Sequence, residues 1–210
     1  MTTLSTHDTK RQEDVRARLA VLAEWPEEWA HQVAEWRGLA LWLTDGAAAQ
    51  ATERAPDPDL DYLMWQTLVG AWLIGSERLR GYLRKAMHEA KTRTSWTMPN
   101  AAYESAVLGL ADALLADPEL TAGIAGFVAR IAPDARVNSL GAKLVQLTMP
   151  GVADVYQGCE LTGLSLWIRI TAGRLTTAAA GGCSRPCRPT RTRRPASTRR
   201  NSSSRPARCG

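Results

Sequence analysis

Apolar residues recur along the first 150 positions at the three- and four-residue steps of helices, not in the alternation of strands. A helical pattern starts at Thr9 and puts Val15, Leu19 and Leu22 on one face, with Glu13 and Asp14 early, where a helix favours negative charge. Pro26 marks a second helix start, and Trp29, Val33, Trp36 and Ala40 form its stripe. Residues 46–58 read as a loop. Leu60, Leu63, Met64, Leu68 and Ala71 make a third face, and residues 77–92 a basic amphipathic helix around Leu79, Leu83 and Met87. Pro99 and Asn100 then punctuate the chain. Residues 101–115 are rich in Ala and Leu, Asp117 and Pro118 break that stretch, and residues 120–132 resume it. Pro133 and Asp134 read as a further break, because proline removes a helical donor, and residues 137–147 close the series. Pro150 and Gly151 form a turn, and residues 152–156 suit a short strand. The expected fold is mainly α, with short β segments near both ends of residues 1–166.

Composition adds a division the pattern does not show. The net charge of +5 is an average over two unlike stretches. Residues 169–210 hold 11 of the 26 basic residues and none of the 21 acidic ones, so residues 1–168 carry 15 basic against 21 acidic side chains, a net charge of −6. Three of the four cysteines, Cys183, Cys187 and Cys209, also lie in the tail. The domain reading is residues 1–166 as a folded body and residues 167–210 as a low-complexity, Arg-rich, disordered tail with little to bury.

No apolar run approaches the roughly 18 residues of a membrane span. The first residues lack the basic head and apolar core of a secretory signal, which leaves the cytoplasm as the expected location. His7, His31 and His88 are scattered, and no zinc-like cysteine spacing or phosphate-binding glycine loop occurs. Eight Trp against one Phe is an unusual proportion. Trp29, Trp36, Trp65 and Trp72 are expected to fill helix interfaces, since aromatic rings dominate core burial; sugar-stacking platforms are the sharper alternative.

The densest polar cluster runs Thr6-His7-Asp8-Thr9-Lys10-Arg11-Gln12-Glu13-Asp14. Its plain reading is a strand end and a helix start, with Thr or Asp as cap. A His-Asp pair at a strand end, followed by a basic pair, is also how a barrel enzyme presents groups at its catalytic rim. The string STHDTKRQEDVRARL resembles the fourth signature region of the α-amylase superfamily and, more closely, that of the malto-oligosyltrehalose synthases. The resemblance continues through YLMWQTLVGAW, ERLRGYLRKAMHEAKTRTSW, NAAYESAV and MPGVADVYQGCEL, in family order, from about residue 3 to Leu166.

That resemblance implies the strand 7 to strand 8 region of a (β/α)8 TIM barrel, in an isomerase that acts on maltodextrin. Such an enzyme turns the reducing-end α-1,4 bond into the α,α-1,1 bond of a trehalose unit by a retaining mechanism. It implies no metal or organic cofactor. Asp8 matches the family's third carboxylate, the transition-state stabiliser, and His7 its sugar-binding neighbour. Lys10 and Arg11, the family's own signature here, would bind the glucose that is reoriented. Tyr156, Gln157 and Glu160 would sit at the rim of the last strand as structural groups.

Two departures set the expectations for activity. The nucleophile and the acid/base of the superfamily lie on earlier strands and find no match here, so the isolated chain is expected to be inactive. After Leu166, family members continue with a Val-Asp-Pro-Asp-Asn-Arg-Arg-Pro-Val-Asp-Tyr type of segment. A choice of synonymous codons for residues 167–177, read one nucleotide out of frame, encodes that string, so the tail is expected to be the frameshifted end of a fragment from a GC-rich gene. Two alternatives compete. One is a small helical protein whose tail binds nucleic acid through phosphates, without sequence specificity. The other is a helical interaction module.

Overall fold

The computed structural model describes residues 3–44 and 55–166. Six α-helices occupy most of the described residues: α1 (Glu13–Glu24), α2 (Pro26–Thr44), α3 (Pro58–Gly70), α4 (Ser76–Ala90), α5 (Ala101–Ala116) and α6 (Pro118–Thr148). The expected tail disorder, the expected frameshift and most of the loop at 46–58 lie outside the described residues. No helix among those described is long and apolar enough to cross a membrane.

The helix boundaries follow local chemistry. Asp57 caps α3 by accepting from the Leu60 N–H at 3.2 Å, with Pro58 preorganised at the first helical position. Asn100 caps α5 through the Tyr103 N–H, and Asp117 caps α6 through the Leu120 N–H. Lys91 ends α4 in the left-handed conformation, φ 57°.

Three expectations need correction. Helix α1 starts at Glu13, not Thr9, because Thr6 and Thr9 close a turn on themselves: the Thr6 N–H donates to Thr9 Oγ1 at 2.8 Å, and the two hydroxyls lie 2.9 Å apart. Its N-cap is Gln12 without a side-chain cap bond, so neither Thr9 nor Asp8 plays the capping part. Pro133 does not break the last helix. Helix α6 runs 31 residues through it. Pro133 sits on the water-facing side, while buried Ile124, Phe127, Val128, Ile131 and Ala135 anchor both flanking turns. The β segments shrink to two isolated bridges, Thr3 with Asp154 in parallel and Arg11 with Leu166 in antiparallel. The turn at 150–151 is present, but residues 152–156 contribute one bridge and no strand.

The core is aromatic. Trp36 packs edge-on to Trp29 and to Phe127 and lies 5.8 Å from the Trp65 ring, and all four rings are buried. Edge-to-face contacts of this kind add about 0.5–1.5 kcal/mol each beyond burial. Trp72 packs against this core while partly exposed. The interface reading therefore holds for Trp29, Trp36 and Trp65, while Trp72 lies past the end of α3. Arg18 of α1 donates to the carbonyls of Val69, Gly70 and Trp72, which satisfies the open C-terminal end of α3.

Candidate functional site

Residues 3–14 leave the bridge at Thr3, turn through 6–9 and enter α1. That turn displays His7 and Asp8 to solvent. The Asp8 carboxylate meets His7 Nε2 at 2.9 Å, with the His7 side chain 73% and the Asp8 side chain 77% exposed. The Asp8 N–H donates to Thr6 Oγ1 at 3.2 Å, which holds the turn without engaging the carboxylate. Asp8 therefore offers carboxylate oxygens to hydroxyl donors of a ligand, and the adjacent imidazole can donate or accept beside it.

Lys10 and Arg11 point elsewhere. The Lys10 ammonium reaches Glu89 of α4 at 3.7 Å with both side chains about half exposed. Arg11 turns inward: its guanidinium donates to Gln66 Oε1 at 3.2 Å and to Thr67 Oγ1 at 3.3 Å, both on α3. Its Nε is buried without a hydrogen-bond partner. The structure thus brings His7 and Asp8 together, ties Lys10 to α4 and anchors Arg11 to the body. An open cavity of about 490 Å³ lies between α1, α2 and α3, lined by Leu22, Trp29, Tyr62 and Gln66 among others; Gln66 is its link to Arg11.

Behind the turn lies a cluster that sequence reasoning missed. Ser5 is buried and accepts from the Glu13 N–H at 3.0 Å. The Glu13 carboxylate meets the Lys143 ammonium of α6 at 2.5 Å. The Cys159 thiol joins them, and burial, followed by its hydrogen bond to Glu13 and that group's charge, pushes its pKa up. Gln146 donates to the Asp154 carbonyl at 2.6 Å, beside the Thr3 bridge, and the Gly163 N–H donates to Asp14 at 2.7 Å. Glu13 and Asp14 stand within the signature string, but no local signal marks Lys143 or Cys159 as their partners. Tyr156 accepts from the Cys159 N–H in a turn with Gly158 at φ 80°, and Gln157 and Glu160 are exposed.

A second polar group lies on the α4–α5 side. Glu104 accepts from Thr94 Oγ1 at 2.6 Å and contacts His88 Nε2 at 2.7 Å. Burial alone would raise the Glu104 pKa, but the bonds from Thr94 and His88, with the charges of His88 and Arg84, outweigh it and hold the carboxyl below its ordinary value. Among the described residues, no three His, Cys, Asp or Glu side chains are grouped to hold a metal.

Comparison with known proteins gives one answer. The chain is 43% identical over 173 residues to putative maltooligosyl trehalose synthases of two Mycobacterium tuberculosis strains, which covers 79% of this chain and 21% of theirs. The solved maltooligosyltrehalose synthase of Arthrobacter ramosus superposes with a TM-score of 0.69 at 38% identity, covering 79% of this chain and 20% of that one. A Sulfolobus tokodaii structure, described as a hypothetical maltooligosyl trehalose synthase, gives 0.65 at 35% identity, over 74% of this chain and 21% of that one. No family model matches. The chain spans about a fifth of the length of the relatives it matches.

Proposed function

Over 79% of its length this chain is a segment of maltooligosyl trehalose synthase type, and from that premise we infer that it supplies part of the active-site rim of an intramolecular transglucosylase. The enzyme so assembled moves the reducing-end glucose of a malto-oligosaccharide from an α-1,4 to an α,α-1,1 linkage, a step of trehalose biosynthesis. The observation that carries this reading is the turn at 6–9, which holds the Asp8 carboxylate and the His7 ring side by side and open to solvent, in the segment whose sequence matches the synthases.

In this reading the bridge-forming ends are pieces of the seventh and eighth strands of a (β/α)8 barrel. The parallel bridge of Thr3 with Asp154 supports it, because parallel neighbours need a long crossover, and α1–α6 are that crossover. Asp8 then stands at the strand end where barrel enzymes place their chemistry. As the glycosidic bond breaks, positive charge builds on the sugar ring, and hydrogen bonds from its hydroxyls to the Asp8 carboxylate strengthen, which is selective binding of the transition state. His7 binds the same sugar. Lys10, held to Glu89 of α4 in this structure, would have to leave that pair to bind the mobile glucose. Arg11 fixes the base of the loop through Gln66 and Thr67. The reading places the protein in the cytoplasm with its oligosaccharide, and engages neither a specific nucleic acid nor a membrane.

A retaining reaction also requires a nucleophile and an acid/base on either side of the bond, about 5–5.5 Å apart. Residues 1–166 match neither, so the chain acts only with the rest of the enzyme. The test is incubation with maltopentaose. The isolated chain leaves reducing ends unchanged. A Mycobacterium tuberculosis relative whose matched segment is replaced by residues 1–166 removes reducing ends without releasing glucose in proportion. An inactive but folded replacement protein refutes the reading.

A further inference from the structure

Helix α1 draws its cap from an unusual distance. Its N-cap residue, Gln12, makes no side-chain bond to the first turn. The open amide of Glu13 is met instead by Ser5, eight residues upstream: the Glu13 N–H donates to Ser5 Oγ at 3.0 Å. Ser5 is 2% exposed and stands beside the Thr3–Asp154 bridge, its own carbonyl accepting from Thr3 Oγ1 at 2.7 Å. The Cys159 thiol accepts from the Ser5 hydroxyl and donates to the Glu13 carboxylate. Ser5, Glu13 and Cys159 thus close a ring that fastens residues 3–5 to the start of α1.

The loop spanned by this tie carries His7 and Asp8. The turn is held within itself: the Thr6 N–H donates to Thr9 Oγ1 at 2.8 Å, the Thr9 N–H to the Thr6 carbonyl at 3.3 Å, and the Asp8 N–H to Thr6 Oγ1 at 3.2 Å. Its place on the body is therefore set at its ends, by Lys10 and Arg11 after the turn and by Ser5 before it. A Ser or Asp at position 12 would cap α1 as well as Ser5 does. What Ser5 adds is a fixed distance across the loop. We propose that Ser5 is a positioning residue for Asp8: by tying the chain before the turn to the first amide of α1, it sets where the carboxylate meets the sugar ring. The proposal rests on the functional reading above. Without the tie the turn keeps its own bonds and shifts as a unit. A displacement of about 1 Å costs rate steeply, because reacting groups must be held in near-attack geometry, while remote glucose units still bind.

Ser5→Ala removes the acceptor but also uncaps α1, so the test combines it with Gln12→Asp, which restores a cap at the usual place. In the 210-residue chain this double variant keeps its melting temperature within about 2 °C of the parent. Its Thr6 amide exchanges with solvent roughly tenfold faster. In the replacement enzyme, kcat on maltopentaose falls by roughly tenfold to a hundredfold and KM changes by less than about twofold, whereas Gln12→Asp alone matches the parent. With Asp8→Asn as background, the same double variant lowers kcat by less than about twofold, since the charge that Ser5 positions is gone. Recovery of kcat together with the melting temperature overturns the proposal by reducing Ser5 to a cap. An equal loss of kcat with and without the Asp8 charge overturns it, and so does an unchanged Thr6 exchange rate. A double variant that does not melt cooperatively overturns it by making Ser5 a support of the whole fold. A replacement enzyme that is folded but inactive before any substitution removes the functional reading instead, and Thr6 exchange still decides whether Ser5 holds the turn.

Discussion

Lys143 of α6 places its ammonium 2.5 Å from the carboxylate of Glu13, the first residue of α1. The two side chains are 22% and 11% exposed, and the ammonium nitrogen is shielded from water with no well-aligned hydrogen bond. This pair locks the last helix to the helix that follows the His7–Asp8 turn, with Ser5 and Cys159 around it.

Removing one partner leaves a shielded charge uncompensated. Breaking a fully buried pair costs about 3–5 kcal/mol, and the residual exposure here reduces that to about 1–3 kcal/mol for Glu13→Gln. The double variant Glu13→Gln with Lys143→Met recovers most of the loss, because no orphan charge remains. Urea titration of the two variants beside the parent chain checks both expectations; a single variant as stable as the parent would show that water reaches the ammonium.

Asp8→Asn removes charge and keeps shape. In the replacement enzyme described above, kcat falls by roughly a hundredfold or more, as loss of a charge-stabilising group in a closed site does. Substrate affinity changes less, because remote glucose units still bind. The melting temperature stays within about 1 °C, since Asp8 is exposed and caps no helix. Kinetics and thermal melts on one variant separate the two effects.

Glu104 gives the fold a sensitivity to acid. Its folded pKa lies below the ordinary 4.5, so the folded state favours the ionised form. The stabilisation is fully present above pH 4.5 and is lost as pH falls through the depressed folded value. Thr94→Val deletes the 2.6 Å bond and costs about 1–3 kcal/mol near neutral pH, as hydrogen bonds to charged groups do. It also flattens the loss of stability with acid. Melting temperatures of both proteins from pH 3 to 7 decide it: parallel curves would remove Glu104 as the cause.

Two glycines of α6 separate close packing from helix propensity. A Cβ at Gly123 would lie 3.1 Å from Trp36 Nε1, whereas one at Gly126 meets nothing within 4 Å. Trp36 is held between Trp65 and Phe127 and cannot yield. Gly126→Ala gains about 0.5–1 kcal/mol from helix propensity, and Gly123→Ala loses about 1–3 kcal/mol from overpacking. Opposite shifts in the denaturation midpoint are the expected readout.

Local chemistry, and therefore the sequence alone, determined where most helices begin and which faces carry apolar residues. The stripe Trp29, Val33, Trp36 and Ala40 is buried as its spacing requires, and Asp57, Asn100 and Asp117 start their helices for reasons written in a few neighbouring residues. The His7–Asp8 motif was legible as a string, and its resemblance to the synthases agrees with the relatives found. Tertiary structure decided the rest. A proline breaks an isolated helix, yet Pro133 is carried through because burial on both sides outweighs one lost bond on the wet side. Periodicity shows that a face is apolar but not what it meets: residues 137–147 read as the last helix of the series, and the structure leaves their Val137, Leu140, Leu144 and Leu147 exposed. Arg11 reads as a ligand-binding cation, and its contacts with Gln66 and Thr67 lie 55 and 56 positions away. Glu13 reads as a dipole residue, and its partner Lys143 is 130 positions distant. Pairings at such separations depend on how helices stack, and no local pattern encodes that.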